Sequence, residues 1–312
     1  MSEHYNDDPI ASRIASHLKL GQHLLSNHAA DKATEQFRAA LSLDPNHAEA
    51  HAWMALALAE QKRFEAALHE ADLALGTEPD NSWNFFVKGL VYVASSSWRE
   101  AEQQFLQAIE LQPSVPGYHA HLAQALYHQE KKPAAAHAAE LALSLDPEEE
   151  TALLYLGFCR LDARQMGDAH QQLERALQLD PDSSDAHNAI GLYYLQNKQN
   201  DKALHHIREA LRLEPESPHA QHNLVLAMGA KNWFYGLFWK WSLFLSRFSS
   251  KGQIAVLIGA WLFMQALRAV GRSNPELKPA VAVVGVFYFV FCIYTWTAPA
   301  IFHWWIKRTQ RF

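Results

Sequence analysis

Apolar and small residues recur along most of this chain at intervals of three and four, separated by short polar stretches. That spacing puts the apolar positions on one face of a helix and predicts a succession of amphipathic helices. The succession is periodic. Cut into 14–47, 48–81, 82–115, 116–149, 150–183 and 184–217, the chain returns to the same residue class at the same offset. Offset 8 is small: Gly21, Ala55, Gly89, Ala123, Gly157 and Gly191. Offsets 20 and 27 are alanine in every unit, from Ala33 and Ala40 to Ala203 and Ala210. Pro45, Pro79, Pro113, Pro147, Pro181 and Pro215 stand 34 residues apart. A fixed period of this size, closed by proline, predicts a stack of helix-turn-helix units, an all-α solenoid.

Two antiparallel helices approach closely only where one face carries little side chain, which the Gly and Ala offsets supply. Larger residues then fill the holes: Leu20, Leu122, Leu156 and Ile190 in the first helices, and Phe37, Phe105, Leu173 and Ile207 in the second. Each unit ends on a breaker such as Leu-Asp-Pro. Proline disfavours helix at the residue before it and suits the start of the next segment. Residues 218–231 begin a seventh unit that stops after one helix, as a cap over the last apolar edge does. Residues 1–13 read as a polar leader without an apolar signal region.

The offsets resemble the tetratricopeptide repeat family, whose pattern is W-x2-L-G-x2-Y, A-x3-F, A, P. The third unit carries Gly89, Tyr92, Ala101, Phe105, Ala108 and Pro113; the first carries Leu20, Gly21, Ala33, Phe37, Ala40 and Pro45. The tryptophan is missing throughout, with His17, His51, His119 and His187 at its offset in four units. The resemblance implies a right-handed solenoid of six repeats and a capping helix over 14–231. It also implies a concave groove lined by offsets 2, 5, 9 and 12 of the first helices. Here those positions include Leu18, Gln22, Leu25, Leu56, Trp83, Phe86, Leu90, Val93, Gln124, Tyr127, Leu154, Phe158, Leu161, Asn188, Leu192 and Leu195. Family members that clamp a chaperone's acidic tail carry Lys, Arg and Asn there; offset 5 holds no Lys or Arg, so no such carboxylate clamp is expected. An apolar groove suits an amphipathic helix or an extended apolar peptide.

Charge divides the chain. Residues 1–231 hold 18 Lys+Arg against 32 Asp+Glu, whereas 232–312 hold 9 Lys+Arg and one acid, Glu276. Seven of the ten tryptophans fall in the second part. The acidic front lacks the clustered basic face of a nucleic-acid binder. Two cysteines in different segments, Cys159 and Cys292, suit a reducing compartment rather than a disulfide framework.

The basic part reads as a membrane anchor. Pro279–Ile301 is almost uninterrupted apolar sequence, and about 22 residues make roughly 33 Å of helix, enough for a hydrocarbon core of about 30 Å. A first span over about 253–270 needs Arg268 to reach the interface; the alternative is a buried or re-entrant segment. Together they make a hairpin over 252–312 with a basic tail. Residues 232–251 predict an interfacial aromatic helix with Trp233, Trp239, Lys240, Trp241 and Arg247, the alternative being a helix packed on the last repeat; Trp304 and Trp305 mark the membrane interface after the second span. The flanks carry Lys231, Lys240, Arg247, Lys251, Lys307, Arg308 and Arg311, against Arg268, Arg272 and Lys278 in the loop. Repeats and C-terminus are therefore expected in the cytosol, at a bacterial inner membrane.

No catalytic constellation stands out: there is no P-loop or GxGxxG, and His69-Glu70 lacks a second histidine. The histidines at the repeat's tryptophan offset are read as packing residues, so no metal and no cofactor is expected. The sequence therefore predicts a non-enzymatic, membrane-anchored scaffold or assembly factor that binds protein partners and lipid bilayer but not nucleic acid. The alternative is a regulatory subunit of a transporter or envelope-assembly complex whose hairpin is the active element. No ionisable residue lies mid-span to serve an ion path.

Overall fold

The computed structural model describes residues 9–231, 262–269, 279, 283–286 and 288. The chain divides into two compact units, 1–181 and 182–312. In the first, α1 (Pro9–Ser26), α2 (Ala30–Leu43), α3 (Ala48–Glu60), α4 (Phe64–Thr77), α5 (Ser82–Ala94), α6 (Trp98–Leu111), α7 (Pro116–His128), α8 (Lys132–Leu145), α9 (Glu150–Asp162) and α10 (Met166–Leu179) form five successive hairpins. Each hairpin also packs on the one before it. The second unit holds α11 (Ser184–Gln196), α12 (Asn200–Leu213) and α13 (Pro218–Lys231), with α13 against both of its predecessors. Residues 9–13, expected in the leader, belong to α1, which Pro9 opens without the loss of a needed N–H.

The small offset works as a volume pair. A Cβ built at Gly21 or Gly89 would overlap the ring of Phe37 or Phe105, and at Gly157 it would lie 2.5 Å from Leu173 Cδ2. In the second unit Gly191 meets Ile207 Cγ1 at the same 2.5 Å. Where offset 8 is alanine, at Ala55 and Ala123, offset 24 is alanine as well, at Ala71 and Ala139, and all four are fully buried. One small partner always matches one large, or two medium partners share the space, because the interior has no slack.

The first helix of every repeat ends the same way. His28, Lys62, Ser96, Glu130, Arg164 and Lys198 all have φ between 54° and 61°. Around Lys62, Arg63 N donates to Leu58 O and Lys62 N to Ala59 O, both at 2.9 Å. The other five turns repeat this pair of bonds. This is the Schellman arrangement, which satisfies carbonyls orphaned at a helix end. Its left-handed position usually takes glycine, yet no repeat has one.

Leu20 does not fill a hole. It is 46 % exposed, while Met54, Leu122 and Leu156 at the same offset are 5–8 % exposed. In the third repeat the offset is Lys88, whose Nζ lies 2.7 Å from Asp72 Oδ1 on α4. The offset therefore faces the second helix of the preceding repeat. Among the described residues no helix precedes α1, and Leu20 is uncovered there.

Among the described residues no helix is long and apolar enough to cross a membrane. The expected interfacial helix and most of the expected spans at 253–270 and 279–301 lie outside the described residues, as do Trp233, Trp239, Lys240, Trp241, Arg247, Trp304 and Trp305. Residues 262–269, 279, 283–286 and 288 are helical. Met264 is 2 % exposed, and a Cβ at Gly285 would sit 3.6 Å from its Cε.

Candidate interaction surface

The groove positions separate into two kinds. Leu18, Phe86, Leu154 and Leu161 are 1–8 % exposed and belong to the core of the first unit. Gln22, Leu25, Leu56, Trp83, Leu90, Val93, Gln124, Tyr127 and Phe158 are half-buried and keep part of their surface outward. In the second unit Asn188 is buried, and its Oδ1 accepts from Asn223 Nδ2 of the capping helix at 2.9 Å. Leu192 and Leu195 there are half-buried, Leu195 packing on the core around Leu204 and Ile207. A helical face wide enough to touch both a neighbouring repeat and the groove serves both, and offset alone does not divide the labour.

Aromatic rings link these positions across repeats. Trp83 lies 5.5 Å from Trp53 and 5.5 Å from Phe86, and Phe86 meets Tyr118 at 4.9 Å and His121 at 5.3 Å. Further along, Tyr127 stacks on Phe158 at 5.4 Å, and Tyr155 joins both at 5.7–5.8 Å. Trp53, His121 and Tyr155 were not among the expected groove residues. All three occupy offset 6, so the repeat register already carried their signal.

The histidines at the tryptophan offset are bound by hydrogen bonds. His51 Nδ1 lies 2.6 Å from Glu70 Oε2, and its Nε2 2.9 Å from Pro45 O. His119 Nε2 makes the same contact with Pro113 O at 2.8 Å. His17 Nδ1 reaches Gln36 Oε1 at 3.0 Å, 19 residues on, the same interval as His51 to Glu70. A ring at the tryptophan's place thus ties a repeat to its own second helix and to the preceding proline turn. His121 is different: burial lowers its pKa, an effect opposed by its hydrogen bond to Gln124 Oε1 at 2.9 Å.

Tyr127 Oη donates to Asp162 Oδ2 at 3.1 Å, and Lys132 Nζ lies 2.9 Å from the same oxygen. Burial and the Asp162 charge push the Tyr127 phenol up. The neighbouring Cys159 is 5 % exposed, and burial raises its thiol to about 11. It is therefore a small core residue and not a thiolate at neutral pH. Among the described residues no three His, Cys, Asp or Glu side chains converge as a metal-holding group.

One concavity opens beside Trp83. It has a volume of about 410 Å³ and is lined by His47, Glu49, Trp53, Glu78, Asn81, Trp83 and Asn84. Glu49 shares offset 2 with Trp83, so the surface expected to be apolar carries an acid beside its tryptophans. Glu49 Oε1 accepts from Trp53 Nε1 at 3.2 Å and from Gln22 Nε2 at 3.4 Å.

Comparison with known proteins follows the same register. Models of the tetratricopeptide repeat match residues 24–83, 86–157 and 160–224. No curated protein matches the chain. Among solved structures, one described as a functional characterization of Pseudomonas aeruginosa pilF is 21 % identical over 68 % of this chain and 97 % of that one, with a TM-score of 0.55. The APC/C hetero-tetramer Cut9-Hcn1 gives 19 % identity, 69 % and 42 % coverage and a TM-score of 0.61. A tetratricopeptide repeat protein from Parabacteroides merdae gives 16 %, 71 % and 86 %, and 0.56. At these identities the likeness is one of fold.

Proposed function

The chain belongs to the tetratricopeptide repeat family, and we propose that it is a non-enzymatic interaction scaffold, held at a membrane by its basic C-terminal part. Proteins built from these repeats bind other proteins. The observation that carries the reading is the half-buried row Trp83, Leu90, Val93, Tyr127 and Phe158 along the first helices of three successive repeats in the first unit. Such a row offers apolar area at a surface while its rings stay fixed by their neighbours, the arrangement that a partner's apolar helix or peptide uses.

Anchoring rests on the sequence of 232–312, with 9 Lys+Arg, one acid and a 22-residue apolar run. The close approach of Gly285 to Met264 fits two adjacent spans, and Leu262, Phe263, Val283, Val284 and Val286 are 40–63 % exposed, as lipid-facing residues are in the absence of lipid. The positive flanks orient the repeats to the cytosol of a bacterial cell.

The test is crosslinking and capture from membranes by the full chain, wild type against Leu90→Asp with Val93→Asp. Both side chains are half-buried, so helical content by circular dichroism should hold while the captured partner is lost. Unchanged capture by the double variant would remove the groove assignment. Recovery of the full chain from the aqueous fraction would remove the anchor.

A further inference from the structure

The concavity beside Trp83 is lined by hydrogen-bond acceptors and aromatic faces. Glu78 Oε2 already accepts from Asn81 Nδ2 at 2.6 Å, and Asn81 Oδ1 from Trp83 N at 2.9 Å. His47 Nδ1 accepts from Ala50 N at 3.3 Å, as the cap of α3. Among the described residues the second carboxylate oxygens of Glu49 and Glu78 receive no hydrogen bond. Asn84 is 1 % exposed; its Nδ2 donates to Ala74 O and Glu78 O at 3.1 and 3.3 Å, and its Oδ1 has no protein donor among the described residues. A buried amide oxygen left unpaired carries the desolvation cost of its burial, so an acceptor remains available at the floor of the cleft. No Lys or Arg lines the cleft. Two indoles, Trp53 and Trp83, complete the wall, and indole faces attract cations most strongly among aromatic rings.

We propose that this cleft is a subsite for a basic side chain, guanidinium or ammonium, of a polypeptide partner. The two carboxylates supply charge and the indoles a cation-attracting surface, above the buried Asn84 amide. A neutral donor would leave the acids unanswered, and an anion would be repelled by both acids. The partner therefore presents an apolar stretch to the half-buried row and a basic residue at one end of it. The inference rests on the reading that the first unit captures a polypeptide, and the probe below examines the cleft without requiring that capture.

The full chain in detergent is titrated with Nα-acetyl-arginine amide and, separately, with its neutral isostere Nα-acetyl-citrulline amide. The indole N–H resonances of Trp53 and Trp83 report binding, assigned through Trp53→Phe and Trp83→Phe. The arginine probe should saturate both resonances with an affinity about tenfold above that of citrulline, the gain expected of a cation–π contact joined to charge-assisted hydrogen bonds. Glu49→Gln with Glu78→Gln, both at exposed positions, should keep the fold and bring arginine to the citrulline level. Nα-acetyl-lysine amide separates the two cations, and saturation by either supports the site. Equal affinity for arginine and citrulline overturns it, as does an unchanged preference in the double variant, or an equal response at Trp98, which would mark diffuse attraction to an acidic surface. Failure here with partner capture intact removes the cleft and leaves the scaffold; saturation of the cleft with capture absent does the reverse.

Discussion

At Gly89 the backbone of α5 lies against the ring of Phe105, while the same two offsets hold Ala55 and Ala71, both fully buried, in the α3–α4 hairpin, so a single pair of offsets sets how close two helices come. Gly89→Ala should cost about 2–3 kcal/mol, since the added methyl has nowhere to go in a packed interior. Ala71→Phe should cost a similar amount, and adding Ala55→Gly should restore much of it. Chemical denaturation of the three variants gives the cycle; strict additivity would mean that the two positions do not share one space. His121 carries a second residue-scale expectation. Its pKa is lowered in the fold by burial beside Phe86 and Phe105, so the unfolded chain binds its proton more readily. Its contribution is therefore present above an unfolded-state pKa of about 6.5 and is lost as pH falls below that value. Unfolding midpoints of wild type and His121→Phe should diverge on going from pH 8 to pH 5, with the wild type losing more; parallel curves would remove His121 as the cause. The sequence displays offsets 8 and 24 openly. It does not display that His121 would lie against Phe86 and Phe105, because that depends on rings from two other helices.

At the scale of the helix, the turn between the paired helices is the feature least visible beforehand. Nothing in His28, Lys62, Ser96, Glu130, Arg164 and Lys198 shares a chemistry, yet all six adopt the left-handed conformation. The helix end and the sharp return to the second helix impose it, and the residue accepts the strain. A left-handed non-glycine residue costs about 1–2 kcal/mol, partly offset in a glycine variant by the freer unfolded chain. Lys62→Gly should therefore raise stability by about 0.5–1 kcal/mol, and a lower denaturation midpoint would refute the assignment of strain. Exposure was legible to the same partial degree. Of the residues at offsets 2, 5, 9 and 12, Trp83, Leu90, Tyr127 and Phe158 keep surface outward, whereas Phe86, Leu154 and Leu161 are buried. Leu154→Ala should accordingly destabilise by about 2–4 kcal/mol, whereas Leu90→Ala should cost clearly less, and thermal melts of the pair check the division. Glu49 was passed over because a search for apolar positions does not ask what charge stands between them.

For the whole molecule the informative quantity is the charge division at Lys231, with 18 Lys+Arg and 32 Asp+Glu before it and 9 Lys+Arg and one acid after it. The repeat register is strong enough to determine the fold of 14–231 from sequence because each repeat needs only its neighbours, so local rules add up to the array. The C-terminal part has no such register; its reading depends on length, apolarity and the placing of basic residues alone. These two kinds of evidence meet in one expectation. A chain ending at Lys231 keeps the capping helix α13, whose Leu224 and Ala227 cover the α12 residues Leu204 and Ile207. It should remain in the aqueous fraction after expression, with the helical spectrum and cooperative melt of a complete array. The full chain should sediment with membranes and resist extraction by salt or alkali, releasing only to detergent. Protease added to spheroplasts should spare the repeats and cut them after permeabilisation. If the full chain is released by alkali, its C-terminal part lies on the bilayer and does not cross it; if the repeats are cut in intact spheroplasts, the basic flanks do not set the orientation. If the truncated chain aggregates, α13 is a seventh repeat's first helix in need of its partner, and the array continues past Lys231.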